Sequence, residues 1–511
     1  MTSFRAICLI AFCLTALAAR AGHAAVLTSP VKVSGGAVAG LHADGLNTYL
    51  GIPFAAPPVG NLRWRAPQAV PPWQGVREAR DFSAACAQTA VWMTEAKSED
   101  CLYLNVWAPE HATRLPVIVW IHGGGYYGGS GKYSAGNLAK RGAIVVSMNY
   151  RLGVLGFFAH PELSAESPDH ASGNQALLDQ IAALRWVKDN IAAFGGDPSR
   201  VTIMGESSGS ESVAILIASP LAKGLFQRAI AESGNDSMPI NAEEKVRFQY
   251  KADAEASGLA FATAAGAPHL AELRSLSVEA LHQQAWKART AVEGHVLQQD
   301  LSTTYRNHLQ NDVPLLMGWN AEEGRDLTQE IAHIGNLSAD HVRGLVAMLL
   351  GRAPSDALLA NYPGIVDAKP SRAAIDQLMT DWWGWRMAYW AGLQAKYGKS
   401  SSYLYFFAHQ PAEPLTPCSY SCGAGHGSEI PYVFDNLGLD QRPWSSADRQ
   451  LSARLADTWI HFASTGSPNK KELPAWPAYD GSQATVQRFG NAEELKRFPL
   501  PDFSVFPQLA N

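Results

Sequence analysis

Charged side chains are scarce in this sequence, and no run of basic residues occurs in it. Asp, Glu, Lys and Arg make up 17% of the chain, and 41 basic residues stand against 46 acidic ones. A protein that binds nucleic acid neutralises phosphates with clustered Lys and Arg. The net charge of -5 and the lack of such a cluster therefore argue against a nucleic-acid partner.

Long apolar runs are also missing, except near the N-terminus. The run from Ala6 to Ala19 has about 14 residues, which is short of the roughly 20 that a membrane-spanning helix needs. Arg5 precedes this run and small residues follow it, as in a secretory signal peptide. We predict a signal peptide over residues 1–25, cleaved between about residues 21 and 25, and export to the periplasm or the medium without a membrane span.

Cysteine is rare, and the chain holds six residues of it. Those that follow the predicted signal peptide are Cys86, Cys101, Cys418 and Cys422. An even number of cysteines in an exported chain favours disulfides, and pairing of neighbours, Cys86 with Cys101 and Cys418 with Cys422, is the simplest of three possible connectivities. A metal site is a weaker interpretation, because the ligand spacing of zinc sites is absent. We expect no metal.

Internal repeats and low-complexity linkers are absent as well, so we predict one catalytic domain from residue 26 to residue 511. Within it, short apolar segments alternate with helical patterns. The predicted strands are 115–121, 143–148, 201–204, 228–231, 313–317 and 402–407. Apolar residues recur at helical spacing over 175–194, until a glycine pair ends the pattern. This alternation predicts an α/β fold with a mostly parallel central sheet and helices on both faces.

Two helix-rich segments, roughly 241–312 and 335–399, interrupt the predicted strands. We expect them to form a cap over the active site. The second segment carries a cluster of aromatic residues that suits either core packing or the lining of a substrate pocket. The cluster comprises Trp382, Trp383, Trp385, Tyr389 and Trp390.

The strongest local motif is Gly205-Glu206-Ser207-Ser208-Gly209. It directly follows the predicted strand 201–204 and precedes a segment that can be helical, which is the context of a nucleophile elbow. Glycines two residues before and after the serine allow the strand and the helix to come close together. We therefore predict that Ser207 is a nucleophile.

A second motif, His122-Gly123-Gly124-Gly125, follows the predicted strand 115–121. Acyl transfer needs hydrogen-bond donors where negative charge develops on the carbonyl oxygen, and glycines let backbone amides converge there. We assign the amides of Gly124, Gly125 and Ser208 to this oxyanion hole. A phosphate-binding loop is a weaker interpretation, because neither a G-x-G-x-x-G frame nor a P-loop lysine is present.

A serine nucleophile needs a histidine base and a carboxylate that orients the histidine, in the chain order serine, acid, histidine. His426 stands between glycines in Gly425-His426-Gly427-Ser428-Glu429, after the predicted strand 402–407. Glu322 and Glu323 both follow the predicted strand 313–317. Chemistry alone leaves these two glutamates as equal alternatives for the acid.

Further motifs occur along nearly the whole predicted mature chain. They include Leu50-Gly51-Ile52-Pro53-Phe54-Ala55, Glu99-Asp100-Cys101-Leu102-Tyr103-Leu104-Asn105-Val106, Phe194-Gly195-Gly196-Asp197-Pro198 and Gly224-Leu225-Phe226-Gln227-Arg228-Ala229. With these motifs the sequence resembles the type-B carboxylesterase family, which includes bacterial para-nitrobenzyl esterases, animal carboxylesterases and cholinesterases. The resemblance implies the α/β-hydrolase fold and no cofactor. It also implies that Glu323, the glutamate immediately before a glycine, is the acid and that His426 is the base.

The resemblance assigns supporting roles too. It implies that Glu206 lies near the catalytic histidine, that Ser233 supports the site from within the core, and that Cys86 pairs with Cys101. One departure from the family pattern stands beside the nucleophile. The family usually has alanine there, whereas this chain has Ser208 and so gains a hydroxyl group.

Together these residues predict a serine carboxylic-ester hydrolase that works through an acyl-enzyme intermediate. The expected partner is a small or amphiphilic ester substrate, and nothing in the sequence indicates an oligomeric state. One alternative is a hydrolase that prefers amides, carbamates or thioesters. Another is a non-catalytic recognition protein of the same fold, against which the intact Ser207, Glu323 and His426 argue.

Overall fold

The computed structural model describes residues 25–506 apart from a set of short segments. These are 236–247, 326–337, 351–352, 366, 368–369, 412–422, 440, 472–474, 482–484, 491–494 and 505. Nearly all of the predicted signal peptide and both Cys418 and Cys422 therefore lie outside the described residues.

A twelve-stranded sheet forms the centre of the fold, with the order β1-β2-β3-β4-β6-β5-β7-β8-β9-β10-β11-β12. Its strands are β1 Val26–Leu27, β2 Leu41–Ala43, β3 Leu46–Pro53, β4 Tyr103–Pro109, β5 Leu115–Ile121, β6 Ile144–Met148, β7 Gly196–Glu206, β8 Arg228–Glu232, β9 Leu315–Asn320, β10 Ser402–Phe407, β11 Thr485–Phe489 and β12 Leu495–Pro499. The neighbours from β6 to β11 pair in parallel. Pairing is antiparallel from β1 to β6 and between β11 and β12. The predicted mostly parallel sheet is confirmed.

Helices alternate with these strands along the chain. They are α1 Gly136–Lys140, α2 Gly153–Phe157, α3 Pro161–Glu166, α4 Gln175–Asn190, α5 Ser208–Ala218, α6 Lys251–Ala264, α7 Leu270–Ser275, α8 Val278–His282, α9 Leu301–Arg306, α10 Ala339–Leu350, α11 Asp356–Ala360, α12 Arg372–Tyr397, α13 Ile430–Val433 and α14 Ser446–Thr465. The two segments predicted as helix-rich thus hold α6–α9 and α10–α12. Among the described residues, no helix is long and apolar enough to cross a membrane.

The ends of two predicted strands differ from the structure by more than one residue. The strand predicted over 201–204 extends from Gly196 to Glu206, because its backbone pairing continues beyond the apolar residues that mark it in the sequence. The strand predicted over 313–317 instead covers Leu315–Asn320, so it includes a buried asparagine that an apolar pattern does not detect. The predicted glycine end is confirmed, since Gly195 adopts a left-handed φ of 85° after α4 and a short 3-10 turn.

Alternate side chains of β5 show how the two faces of the sheet are covered. Val117 and Val119 lie in a hydrophobic cluster with residues of α4, α5 and α12. Ile118 and Trp120 point the other way, into a second cluster with residues of α1, α13 and α14. Because successive strand residues face opposite sides, helices must cover both faces of the sheet, as predicted.

This topology gathers chemically active residues at one edge of the sheet. Parallel strands place their carboxyl ends together, and ligands of open α/β sheets bind beyond those ends. The glycine run at residues 123–125 follows β5, Ser207 follows β7, Ser233 follows β8 and Glu323 follows β9. His426 comes after β10 and before α13.

Candidate active site

Ser207 occupies a strained turn between β7 and α5. Its backbone has a φ of 55° and a ψ of -125°, outside the regions that non-glycine residues favour. The turn brings two backbones so close that a Cβ on Gly205 would collide with Gly209, and a Cβ on Gly209 would collide with the Ile121 carbonyl. The amide of Ser207 donates to the Glu232 carbonyl at 2.8 Å, which anchors the turn to β8. This is the geometry of a nucleophile elbow.

Glu323 and His426 form a close pair. Nδ1 of His426 lies 2.6 Å from Oε2 of Glu323. The other carboxylate oxygen accepts hydrogen bonds from the Ser233 hydroxyl at 2.5 Å and from the Asn320 amide at 2.7 Å. Glu323 is fully buried, so these contacts hold the carboxylate in one orientation toward the imidazole.

Glu322, the other glutamate that the sequence leaves open, points elsewhere. Its carboxylate accepts a hydrogen bond from the Gly423 amide at 3.2 Å and lies 3.7 Å from the Arg325 guanidinium. Its side chain is 30% exposed. The structure therefore brings Glu323, and not Glu322, to His426.

The second ring nitrogen of His426 faces another carboxylate. Nε2 lies 3.1 Å from Oε1 of Glu206, the residue before Ser207. Glu206 is therefore in contact with the histidine, as the family resemblance implies. Among the described residues, no hydrogen bond links the Ser207 hydroxyl to His426. Catalytic hydrogen bonds are often long in a free enzyme and shorten when substrate binds.

The charges of Glu206 and His426 shift each other's pKa. Burial lowers the pKa of His426, but the negative charges of Glu206 and Glu323 outweigh it and raise this pKa to about 10. Burial also raises the pKa of Glu206 to about 7, against the opposing effect of the His426 cation. The imidazole and the Glu206 carboxyl therefore compete for one proton, across the 3.1 Å that separates Nε2 from Oε1.

Two further buried glutamates, Glu232 and Glu429, lie close to this pair, and the sequence motifs assign neither of them to the site. Glu429 accepts a hydrogen bond from the Asn320 side chain, and burial together with the charge of Glu206 raises the pKa of Glu429 to about 8. Glu232 accepts from the Trp459 indole at 2.6 Å, and burial raises the pKa of Glu232 well above its usual value. In the sequence, Glu429 lies three residues after His426 and Glu232 directly precedes Ser233, and these positions are the available signal.

The loop predicted to form the oxyanion hole has backbone angles that glycine adopts easily. Gly124 and Gly125 have φ angles of 106° and 63°, and a Cβ on Gly124 would collide with the Gly128 carbonyl. Within the described part of the chain, the amides of both glycines donate to no backbone carbonyl. The amide of Ser208 lies in the first turn of α5, where helical partners are missing. These three amides therefore have no competing partner in the backbone.

The aromatic cluster on α12 has two kinds of members. Trp383 packs on the His426 ring, with ring centroids 5.3 Å apart. The Arg386 guanidinium carbon lies 4.7 Å from the centroid of the Trp383 ring. Trp385 stacks on Phe506, and the Trp390 indole donates to a buried tyrosine hydroxyl. One tryptophan thus contacts the site, while the others pack in the core.

A disulfide joins Cys86 to Cys101, as predicted. It closes a segment in which Ala85–Cys86 pairs with Lys97–Ser98 as a two-stranded sheet. Among the described residues, no group of three or more His, Cys, Asp or Glu side chains is arranged to hold a metal ion.

Comparisons with known proteins agree with this fold. A para-nitrobenzyl esterase from Bacillus subtilis (strain 168) is 35% identical over 475 residues, which cover 87% of this chain and 91% of that protein. Fumonisin B1 esterase from Sphingopyxis macrogoltabida is 34% identical over 493 residues, which cover 89% of this chain and 85% of that protein. A solved structure of a PNB esterase superposes with a TM-score of 0.78 and 32% identity, covering 94% of this chain and all of the other. The family model described as the carboxylesterase family matches residues 26–500, and the chain belongs to this family.

Proposed function

We propose that this carboxylesterase hydrolyses esters with Ser207 as nucleophile, His426 as general base and Glu323 as the acid that orients the base. The observation that carries the proposal is the 2.6 Å contact between Glu323 and His426 beside a serine on a strained elbow. A nucleophile, a base and an orienting carboxylate are the parts that acyl transfer to serine requires.

The reaction has two steps. In the first, the Ser207 hydroxyl attacks the ester carbonyl carbon, Nε2 of His426 takes its proton, and the amides of Gly124, Gly125 and Ser208 stabilise the oxyanion. His426 then protonates the leaving alcohol, and an acyl-enzyme remains. In the second step, water attacks the acyl carbon and gives a proton to His426. The carboxylic acid leaves as that proton returns to Ser207.

In this mechanism, Glu206 determines whether the His426 imidazole is neutral before the first step. A base must be neutral to accept a proton, and Nε2 must turn from Glu206 to the neighbouring Ser207. If the shared proton lies on the Glu206 carboxyl, the imidazole is neutral and available. Once His426 has taken the serine proton, an ionised Glu206 at 3.1 Å would stabilise the resulting cation.

The proposal also includes the location to which the protein is exported and a cap over its active site. Export to the periplasm or the medium is supported by the apolar run after Arg5 and by the Cys86–Cys101 disulfide, since disulfides persist in oxidising compartments. A cap formed by segments 241–312 and 335–399 over a small or amphiphilic ester is supported by Trp383, which α12 places against His426.

The test is hydrolysis of a short-chain para-nitrophenyl ester by the purified protein and by Ser207→Ala. We expect the variant to lose about 10⁴-fold or more in kcat while its circular dichroism and unfolding temperature stay close to the original. A matched para-nitroanilide is expected to react more slowly than the ester, and the reverse order would favour an amidase. Absence of all hydrolysis by the folded protein would instead favour a recognition protein.

A further inference from the structure

We propose that the side-chain hydroxyl of Ser208 is a positioning group that holds the oxyanion loop against the nucleophile elbow. This inference rests on the proposed function, because it assigns a task to the hydroxyl beside the proposed nucleophile. The Ser208 amide is already a proposed oxyanion donor. The hydroxyl is a separate group, which the alanine usual in the family does not have.

The first observation is a hydrogen bond to the far end of the loop. Tyr126 directly follows Gly125, and its amide donates to the Ser208 hydroxyl oxygen at 3.3 Å. Tyr126 has a φ of 63°, which is unfavourable for a bulky residue and must be maintained by its surroundings. Both residues are buried, so water does not compete for this bond.

The second observation concerns the near end of the loop. The Tyr150 hydroxyl donates to the His122 carbonyl at 2.6 Å. Burial raises the pKa of this hydroxyl, and the neighbouring Ser208 hydroxyl opposes that rise. The Tyr150 ring stacks on the His122 ring with centroids 4.3 Å apart. Burial lowers the pKa of His122 to about 4, so this ring is neutral at pH 7. The residue before the glycine run is therefore held by Tyr150, whose hydroxyl neighbours the Ser208 hydroxyl.

A third contact ties the Tyr126 side chain to the same helix. Its hydroxyl lies 3.2 Å from the Ser212 hydroxyl. The Ser212 hydroxyl also donates to the Ser208 carbonyl at 3.0 Å and accepts from the side-chain amide of Gln180 at 3.0 Å. A hydroxyl has one proton to give, so Tyr126 must donate to Ser212. Tyr126 is thus held at its backbone and at its hydroxyl by the first two turns of α5.

These contacts fix the position of Gly124 and Gly125 relative to Ser207. An oxyanion donor works only within about 2.7–3.1 Å of the developing charge, and its task is the transition state rather than substrate binding. Loss of the Ser208 hydroxyl would remove the hydrogen bond that it accepts from the Tyr126 amide, and would change the surroundings of the Tyr150 hydroxyl. The loop could then drift while all three oxyanion amides remain present. The expected effect is a lower kcat with little change in KM.

The experiment compares Ser208→Ala with Ser210→Ala as the matched control. Ser210 lies on the same helix and is equally buried, but its hydroxyl donates to the Gly234 carbonyl and not to the loop. For Ser208→Ala we expect kcat for a para-nitrophenyl ester to fall about three- to tenfold, with KM within about twofold. We expect a similar loss of affinity for a trifluoromethyl ketone, whose hemiketal oxyanion would occupy the hole. For Ser210→Ala we expect kcat to stay within about twofold of the original.

An unchanged kcat in Ser208→Ala, an equal loss in both variants, or a loss confined to KM would each overturn the proposal. Tyr126→Phe serves as a second variant if Ser208→Ala does not fold, and it should show a smaller loss in the same direction. Ser207→Ala is measured in parallel. If Ser207→Ala keeps its activity, the proposed function fails, whatever the result at Ser208.

Discussion

Replacement of Glu206 by glutamine is expected to shift the acidic limb of the pH profile of kcat/KM to lower pH. Burial lowers the pKa of His426, but the charges of Glu206 and Glu323 raise it to about 10. In the proposed mechanism His426 acts as a base only when neutral, so kcat/KM should rise with pH toward this pKa. Glutamine carries no charge, so Glu206→Gln removes one of the two effects that raise the pKa, and the midpoint must fall.

The size of the shift follows from the geometry. Two unit charges at the 3.1 Å distance between His426 and Glu206 interact by about 5 kcal/mol at an effective dielectric constant of about 20. Measured pKa shifts from one partner charge are smaller than this pairwise energy implies, because the protein and the solvent around the pair screen the interaction. A partner charge at such a distance typically shifts a pKa by about 1 to 3 units, which is the decrease we expect. Each unit gives about a tenfold larger fraction of neutral imidazole on the acidic side.

The assay is the initial rate of ester hydrolysis in a pH-stat, from about pH 6 to about pH 11, for the original protein and for Glu206→Gln. The plateau of the variant should be lower, because the His426 cation formed in the reaction loses a counter-charge, so the midpoint is the diagnostic quantity. Glu322→Gln is the matched control, since Glu322 does not contact His426, and its midpoint should not move. An unchanged or higher midpoint in Glu206→Gln would refute the reasoning.

Two other predictions follow from the contacts of the site and of its surroundings. Glu323→Gln should lose about 10³–10⁴-fold in kcat, since the imidazole loses its orienting carboxylate, whereas Glu322→Gln should stay within about twofold; comparable losses would contradict the assignment. Replacement of both Cys86 and Cys101 by alanine should lower the free energy of unfolding by about 3 kcal/mol, measured by urea denaturation, because the closed loop restrains the unfolded chain. A stability unchanged from that of the original protein would show that the disulfide contributes nothing.

Much of the site follows from local sequence, because its main parts are short motifs at the ends of strands. The elbow around Ser207 and the glycine run at residues 123–125 each combine a strand pattern with a backbone shape that glycine permits. The structure has these shapes where the motifs predict them. The helical pattern of α4 and the glycine that ends it are likewise local features.

The local sequence does not predict those features of the site that depend on contacts between distant elements. Glu322 and Glu323 are adjacent and chemically alike, and the turn after β9 determines which carboxylate meets His426, about a hundred residues later. Several strands end at one edge of the sheet. This topology brings Nε2 of His426 into contact with Glu206, and it brings Glu206 close enough for its charge to raise the pKa of Glu429. The hydroxyl of Ser208 could be noticed in the sequence, but its contact with Tyr126 requires the three-dimensional structure.

The most direct test of the central claim is covalent labelling by an organophosphate, followed by mass spectrometry of the intact protein and of its peptides. We predict a single phosphoryl adduct on the peptide that contains Ser207, with loss of esterase activity in proportion to labelling and no adduct in Ser207→Ala. Labelling of another residue, or full labelling of Ser207 with activity retained, would contradict the assignment of Ser207 as the nucleophile.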